Sequence, residues 1–285
     1  LNRLEFPANV YPFLNCQRLG VEVDFIAPRE HLIQLEDIEA QLTPRTRVLS
    51  ISQVQFLTGQ RIDLAALGRL CRDRGVLLCV DAIQALGATG LDVRGLGIDF
   101  LATGGHKWLM GAQGQGFVYI SPALLEQLRP AMVGWLSVED PWSLLDYQLT
   151  LRTDAARFET GSFNALGLTA LLASQQVFAR WPMAQIEAHV LDLSGYLIQG
   201  LQELGLKVIT PADPAARLGI VTCLHPEADR LQRGLAARLI MVSAREGIYL
   251  RFSPHFYNSR QELERTLAGL KTLLYPSQQE RFAMW

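Results

Sequence analysis

Asp63-Leu64-Ala65-Ala66-Leu67-Gly68-Arg69-Leu70-Cys71-Arg72-Asp73-Arg74-Gly75-Val76-Leu77-Leu78-Cys79-Val80-Asp81 is the stretch that decides the fold. Asp63 is a helix-capping residue type, Leu64, Leu67, Leu70 and Cys71 share one face at helical spacing, and Gly75 is placed to end the helix. From Val76 the chain is continuously apolar until the carboxylate of Asp81, as in a parallel strand buried on both faces. Working outward, residues 21–27 and 48–52 read as strands, with a short amphipathic helix over 35–42 between them. Downstream, 98–102 and 117–121 read as two more strands bounded by glycines. Strand-helix-strand units of this length predict an α/β fold with a mostly parallel, doubly wound sheet.

Beyond Pro122 the pattern predicts a short helix and an irregular region over 135–157. Its Trp135, Trp142 and Tyr147 suit either a dimer interface or core packing. Helices over 165–178 and 184–204 then lead to strands near Leu206, Ile220 and Tyr249 and a helix after Ser259. This organisation predicts a large domain over 1–178 and a smaller C-terminal α/β domain over 179–285.

Composition narrows the function classes. The 285 residues are 49% hydrophobic and 19% charged, enough apolar material for a sizeable core in a globular chain. A formal net charge of −2 and the absence of a basic stripe argue against a nucleic-acid partner. No run of about 18 apolar residues predicts a membrane span, and no signal sequence opens the chain, so a cytoplasmic setting is expected. Four cysteines without a C-x-x-C pair and five scattered histidines support neither a dithiol site nor a metal cluster. Gly111-Ala112-Gln113-Gly114-Gln115-Gly116 lacks the spacing and the following helix of a dinucleotide loop.

Two residues carry the chemistry. Lys107, one of only three lysines, sits in Thr103-Gly104-Gly105-His106-Lys107-Trp108-Leu109 after an apolar strand. Loss of hydration disfavours a charged amine and leaves a better nucleophile toward a carbonyl carbon, the property that imine chemistry needs. Asp81 lies at the carboxyl end of a strand, where open α/β sheets bind ligands. Each has a plainer alternative. The Lys107 stem can pack on Trp108 while its ammonium reaches water, and Asp81 can cap a helix starting at Ala82. Together they match what pyridoxal phosphate requires, an amine for its aldehyde and an acid that keeps its ring nitrogen protonated.

Four segments resemble the class V aminotransferases of fold type I, a family that includes cysteine desulfurases, kynureninases and isopenicillin N epimerase-like enzymes. They are Ser52-Gln53-Val54-Gln55-Phe56-Leu57-Thr58-Gly59-Gln60 with Val80-Asp81-Ala82-Ile83-Gln84-Ala85-Leu86-Gly87, then 99–109 around Lys107, then Arg157-Phe158-Glu159-Thr160-Gly161-Ser162-Phe163-Asn164, and Leu250-Arg251-Phe252-Ser253-Pro254-His255-Phe256-Tyr257-Asn258. The resemblance runs from near residue 5 to near residue 270 and implies a pyridoxal 5'-phosphate enzyme acting on amino-acid and keto-acid substrates as a homodimer with shared active sites. It implies that Lys107 forms the Schiff base, Asp81 pairs with the pyridine nitrogen and Gln84 bonds the ring 3'-oxygen. By the same resemblance His106 and Thr103 lie by the phosphate, Ser162 reaches the phosphate of the other subunit, Gln55 touches the cofactor and Arg251 holds the substrate carboxylate.

Departures from the family pattern matter too. The usual phosphate-binding hydroxyl falls where this chain has Gly104, and Ala112-Gln113 replaces a common proline. Leu1 falls inside the family pattern, and roughly the first quarter of a usual member supplies a phosphate-binding loop and a ring-stacking residue. The expected reaction is transamination, the alternatives being a lyase, epimerase or desulfurase on the same scaffold or a truncated, non-catalytic relative with weakened cofactor binding. Desulfuration ranks lower because no cysteine follows Arg251.

Overall fold

The helix that begins at Asp63 forms by the expected local chemistry. Asp63 Oδ1 accepts the backbone N–H groups of Ala65 and Ala66 at 3.0 Å each, and Gly75 closes the other end in the left-handed region at φ +63°. The computed structural model describes residues 1–276. In chain order the elements are α1 (Tyr11–Asn15), α2 (Leu35–Gln41), β1 (Val48–Ser52), α3 (Leu64–Arg74), β2 (Leu77–Asp81), β3 (Phe100–Gly104), β4 (Gly116–Ile120), α4 (Pro122–Gln127), α5 (Ala165–Phe178), α6 (Met183–Glu203), β5 (Lys207–Val208), β6 (Val221–Leu224), α7 (Ala228–Ala236), β7 (Ser243–Arg245), β8 (Tyr249–Phe252) and α8 (Arg260–Leu274).

The first sheet has strand order β1-β2-β3-β4, with β1, β2 and β3 parallel and β4 antiparallel to β3. The second is antiparallel, in order β5-β6-β8-β7. This is the α/β architecture of fold type I, with a mixed, mostly parallel large sheet. A two-residue turn at Glu246-Gly247, both at positive φ, joins β7 to β8 and sets their register. Neither β7 nor α7 was anticipated from sequence, since three residues at a sheet edge carry too little pattern to stand out.

Two expectations need correction. Residues 21–27 do not form a strand: apart from a single bridge between Ile26 and Asn2, this segment is irregular. Its alternating valines and acids mimic a strand, but no neighbouring strand pairs with it, and an unpaired extended segment is not a sheet element. Nor is β2 buried on both faces. Leu78 and Val80 are buried against Leu67 and Cys71 of α3, whereas Leu77, Cys79 and Asp81 on the opposite face are only half-buried.

Three apolar clusters hold the fold. One joins the large sheet to α3, and a second joins the small sheet to α6, α7 and α8. The third surrounds Trp108 with Val54, Ala85, Leu171, Ile186, Val190, Leu218 and Ile220, so it draws on both sheets' surroundings. No described helix is long and apolar enough to cross a membrane.

Candidate active site

Strands β2 and β3 run side by side, with Asp81 opposite Ala102, so Asp81 and the loop after Gly104 emerge at the same sheet edge. Asp81 does not cap a helix. The chain makes turns after it, and Asp81 Oδ1 accepts only the Ile83 N–H at 2.9 Å. With Ser50, Cys79, Ile83, Ala102 and Thr103, Asp81 lines a cavity of about 640 Å³. Burial raises its pKa. The Ile83 N–H opposes that shift, the charge of Glu5 adds to it, and the charge of Lys107 also opposes it.

Lys107 leaves the loop after β3 with its Nζ 5.5 Å from the centroid of the Phe6 ring. Phe6 in turn meets Phe56 edge-on at 5.2 Å. Burial lowers the pKa of Lys107, Arg251 lowers it further by like charge, Asp81 resists, and Arg245 adds a smaller lowering. The amine and the acid therefore feel each other's charge. Both are pressed toward neutrality, the amine toward its nucleophilic form.

Trp108, the next residue, is held from three sides. Its indole Nε1 donates to Gln84 Oε1 at 3.1 Å. Because indole is only a donor, this orients the Gln84 amide and leaves its NH₂ group as the end able to donate elsewhere. His255 stacks on the Trp108 ring at 4.9 Å, and its Nε2 meets the Trp108 carbonyl at 3.0 Å, so that nitrogen carries the proton. Burial lowers the His255 pKa, against the opposing effect of the Trp108 carbonyl. Glycines complete the socket. A Cβ on Gly87, at φ +99°, would fall 2.1 Å from the Trp108 carbonyl oxygen, and one on Gly219 would fall 2.2 Å from Trp108 Cη2.

The remaining sequence candidates are distributed unequally. Thr103 is buried on β3 and lines the cavity, while His106 is exposed beside Gly104. A Cβ at Gly104 would come within 2.9 Å of His106 Cε1 and 3.1 Å of Ile83 Cδ1, both side-chain ends. Gln55 is fully enclosed, its Nε2 donating to Glu5 Oε1 at 3.0 Å while its Oε1 has no donor. Ser162 lies on an exposed loop, and no side-chain hydrogen bond ties it to the Lys107 site. Arg251 projects from β8, with Nη1 donating to the Phe56 carbonyl at 3.0 Å and Nε to Ser253 Oγ at 3.4 Å. Burial and the like charge of Arg245 bring its pKa down to about 10, so it stays a cation at neutral pH.

Sequence reasoning missed Glu5, Phe6 and His255 as members of this site. Glu5 is buried and accepts five hydrogen bonds, from Asn2 Nδ2 at 2.5 Å, Asn9 Nδ2 at 2.9 Å, Ser52 N at 2.9 Å, Ser52 Oγ at 2.5 Å and Gln55 Nε2 at 3.0 Å. It fastens the N-terminal segment to the end of β1. The signal was a glutamate and an asparagine flanking Phe6-Pro7, but nothing local shows that this segment reaches the sheet edge. Of the thiols, Cys79 lines the Asp81 cavity, while Cys71 and Cys223 lie in the two apolar cores. Burial pushes Cys79 and Cys223 up to about 12 and Cys71 to about 11, so all three remain protonated.

Comparison with known proteins gives a consistent result. A family model described as aminotransferase class-V matches residues 1–265. The chain is 26% identical over 264 residues to an uncharacterized aminotransferase, YcbU, of Bacillus subtilis, covering 93% of this chain and 69% of that protein. It is 32% identical over 251 residues to isopenicillin N epimerase of Amycolatopsis lactamdurans, covering 84% of this chain and 63% of the relative. Among solved structures, the apo cysteine desulfurase of Thermococcus onnurineus superposes with a TM-score of 0.87 at 25% identity, covering 96% of this chain and 72% of that one. With the family match spanning residues 1–265, and β2 ending in a carboxylate beside the strand that leads to Lys107, the chain belongs to the class V aminotransferases, a family of pyridoxal-phosphate-dependent enzymes of fold type I.

Proposed function

We propose that this chain is an aminotransferase that acts on an α-amino acid, with Lys107 as the covalent anchor of pyridoxal 5'-phosphate. The observation that carries the reading is that β2 ends in Asp81 beside β3, whose following loop carries Lys107, close enough for the charge of each to oppose the shift that burial imposes on the other. The residues suit the cofactor. A half-buried carboxylate whose pKa burial raises calls for a cationic partner, which a pyridinium nitrogen is. When bound, pyridoxal phosphate supplies a protonated ring that accepts the electrons released at a substrate carbon.

Lys107 Nζ, favoured as a neutral amine, would hold the cofactor through its aldehyde carbon with release of water and, once freed by the substrate amine, would act as the base that carries the proton from the substrate α-carbon to the former aldehyde carbon. Asp81 would hold the ring nitrogen protonated. The free NH₂ of Gln84 would donate to the ring 3'-oxygen, and Phe6, near Lys107 Nζ, would help to keep water from it. Thr103 Oγ1 and His106 are assigned to the phosphate, Gln55 to an outer cofactor contact, and Ser162 to the phosphate of a second subunit. Arg251 binds the substrate α-carboxylate, to which a planar guanidinium can make two parallel charge-assisted bonds.

Support for transamination over desulfuration comes from the thiols, since Cys71, Cys79 and Cys223 are held protonated and no cysteine follows Arg251. The test is absorbance at the imine band after adding pyridoxal phosphate, followed by a panel of amino acids assayed for keto acid, sulfide and racemised product. We expect a band that Lys107→Ala abolishes, and keto acid as the main product. A spectrum identical in the two proteins would sink the assignment of Lys107.

We also propose a homodimer. Trp142, Leu145 and Tyr147 are 74%, 86% and 88% exposed, an apolar surface of the kind that subunits cover. Sedimentation at the monomer mass at micromolar concentration would remove this part. Four free cysteines fit a reducing, cytoplasmic setting, which fractionation of the source cells would check.

A further inference from the structure

The face of the small sheet that looks toward Lys107 carries more positive charge than one α-carboxylate needs. Arg251 of β8 sits opposite Ser243 of β7, and Arg245 sits opposite Tyr249. Opposed residues in an antiparallel pair project on the same side, as do residues two apart along one strand. Arg251, Ser243, Arg245 and Tyr249 therefore share one face, while Ala244, Leu250 and Phe252 on the other face pack into the core. The two arginines are diagonal neighbours across the pair, about 7–8 Å apart at the backbone. The two-residue turn at Glu246-Gly247 locks this register.

Neither guanidinium has a carboxylate partner among the described residues. Arg251 has two hydrogen bonds to protein, and Arg245 has one, to the carbonyl of Ala244 at 2.7 Å. The charge of Arg245 reaches inward all the same, lowering the pKa of both Arg251 and Lys107. A second segment closes on the same place. Glu30 and His31 form a two-residue turn at φ +48° and +70°, conformations that residues with a side chain adopt only under constraint. Reciprocal bonds between Arg29 and Leu32 at 2.8 and 2.9 Å hold the turn, and it sets the His31 ring edge-on to Tyr249 at 6.0 Å.

We propose that Arg245, rimmed by Tyr249 and His31, is a second anion subsite that selects an α-amino acid with an acidic side chain. The inference rests on the reading of Lys107, Asp81 and Arg251 as an amino-acid site, and it adds the substrate class. With the α-carboxylate on Arg251, a carboxylate one or two methylenes away meets Arg245. Arg245 is exposed, so selectivity comes from the charge-assisted attraction between its guanidinium and a carboxylate, which a neutral side chain forgoes.

The test uses the cofactor-loaded protein with aspartate and glutamate against their isosteric amides, asparagine and glutamine. We expect kcat/KM for the better acid to exceed that of its amide by at least about tenfold. Arg245→Gln should bring this ratio to about one through a rise in KM for the acid, and Arg245→Lys should restore part of it. A ratio near one in the unmodified protein, or one that Arg245→Gln leaves unchanged, overturns the proposal. Cofactor absorbance recorded on the same samples separates this failure from failure of the underlying reading. Should the protein not load the cofactor, calorimetry with maleate against crotonate reads the subsite directly. Maleate is expected to bind at least about tenfold tighter, a difference lost in Arg245→Gln. Equal affinities for the two acids in the unmodified protein overturn the proposal.

Discussion

Lys107 and Asp81 are each displaced from their ordinary ionisation, and the signs of the two shifts have different consequences for stability. The folded pKa of Lys107 lies below 10.5, so between that folded value and 10.5 the unfolded chain binds more protons and stability rises with pH. Below the folded value its burial as a cation is a constant penalty. The folded pKa of Asp81 lies above 3.8, so stability falls as pH rises through the window above 3.8 and then levels off. Lys107→Met should therefore raise the Tm of the cofactor-free protein at pH 7, with the gain shrinking as pH approaches 10.5. A lower Tm for this variant at pH 7 would mean that attraction to Asp81 outweighs burial. Both residues were legible in sequence because Asp81 ends an apolar strand and Lys107 lies in the loop directly after another, and such placements are local signals. Glu5 and Phe6 were not. What makes them matter is contact with Ser52, Gln55 and Lys107, 47 to 101 positions away along the chain.

At the level of single elements, the helix α3 and the turn after Asp81 show how differently two glycines can act. Gly75 ends α3 at φ +63° with nothing within 4 Å of an added Cβ, whereas Gly87, at φ +99°, has the Trp108 carbonyl oxygen 2.1 Å from where its Cβ would be. Gly75→Ala should cost about 1–2 kcal/mol, the left-handed penalty alone. Gly87→Ala adds overpacking of about 1–3 kcal/mol and displaces the backbone next to Lys107. Urea unfolding should show the larger loss for Gly87→Ala, and titration with pyridoxal phosphate should show weakened binding for that variant only. Equal losses in the two variants would mean that the Lys107 loop yields easily. Capping and termination of α3 could be read from Asp63 and Gly75, because both act within one helical turn. The failed strand over 21–27 had suitable residues but no partner, and a strand exists only by pairing.

In the molecule as a whole, Trp108 ties the two sheets into one unit. Its neighbours come from the turn after β2, from α6, and from the loops before β6 and after β8. Further bonds cross between the sheets' surroundings, from Thr222 Oγ1 to the Leu57 carbonyl at 2.6 Å, Thr210 Oγ1 to the Thr58 carbonyl at 2.6 Å, and Arg251 to Phe56. We propose the division into domains at 178/179, between α5 and α6, yet these contacts predict one cooperative unfolding transition. Gly219→Ala presses on Trp108 Cη2 without backbone strain and should destabilise by about 1–3 kcal/mol, lowering the urea midpoint reported by both domains together. Two separated transitions would show that the third cluster does not couple them. The amino-acid sequence by itself determined the alternation of strands and helices, their caps, and the placing of an acid at one strand end and an amine just after another, because those properties depend on spacing and on immediate neighbours. Only the tertiary structure decided that Glu5, Phe6 and His255 join them, since Phe6 meets Lys107 across 101 positions and His255 meets Trp108 across 147. Contacts of that span arise when buried surfaces from distant segments pack together, and no local pattern encodes which segments those are.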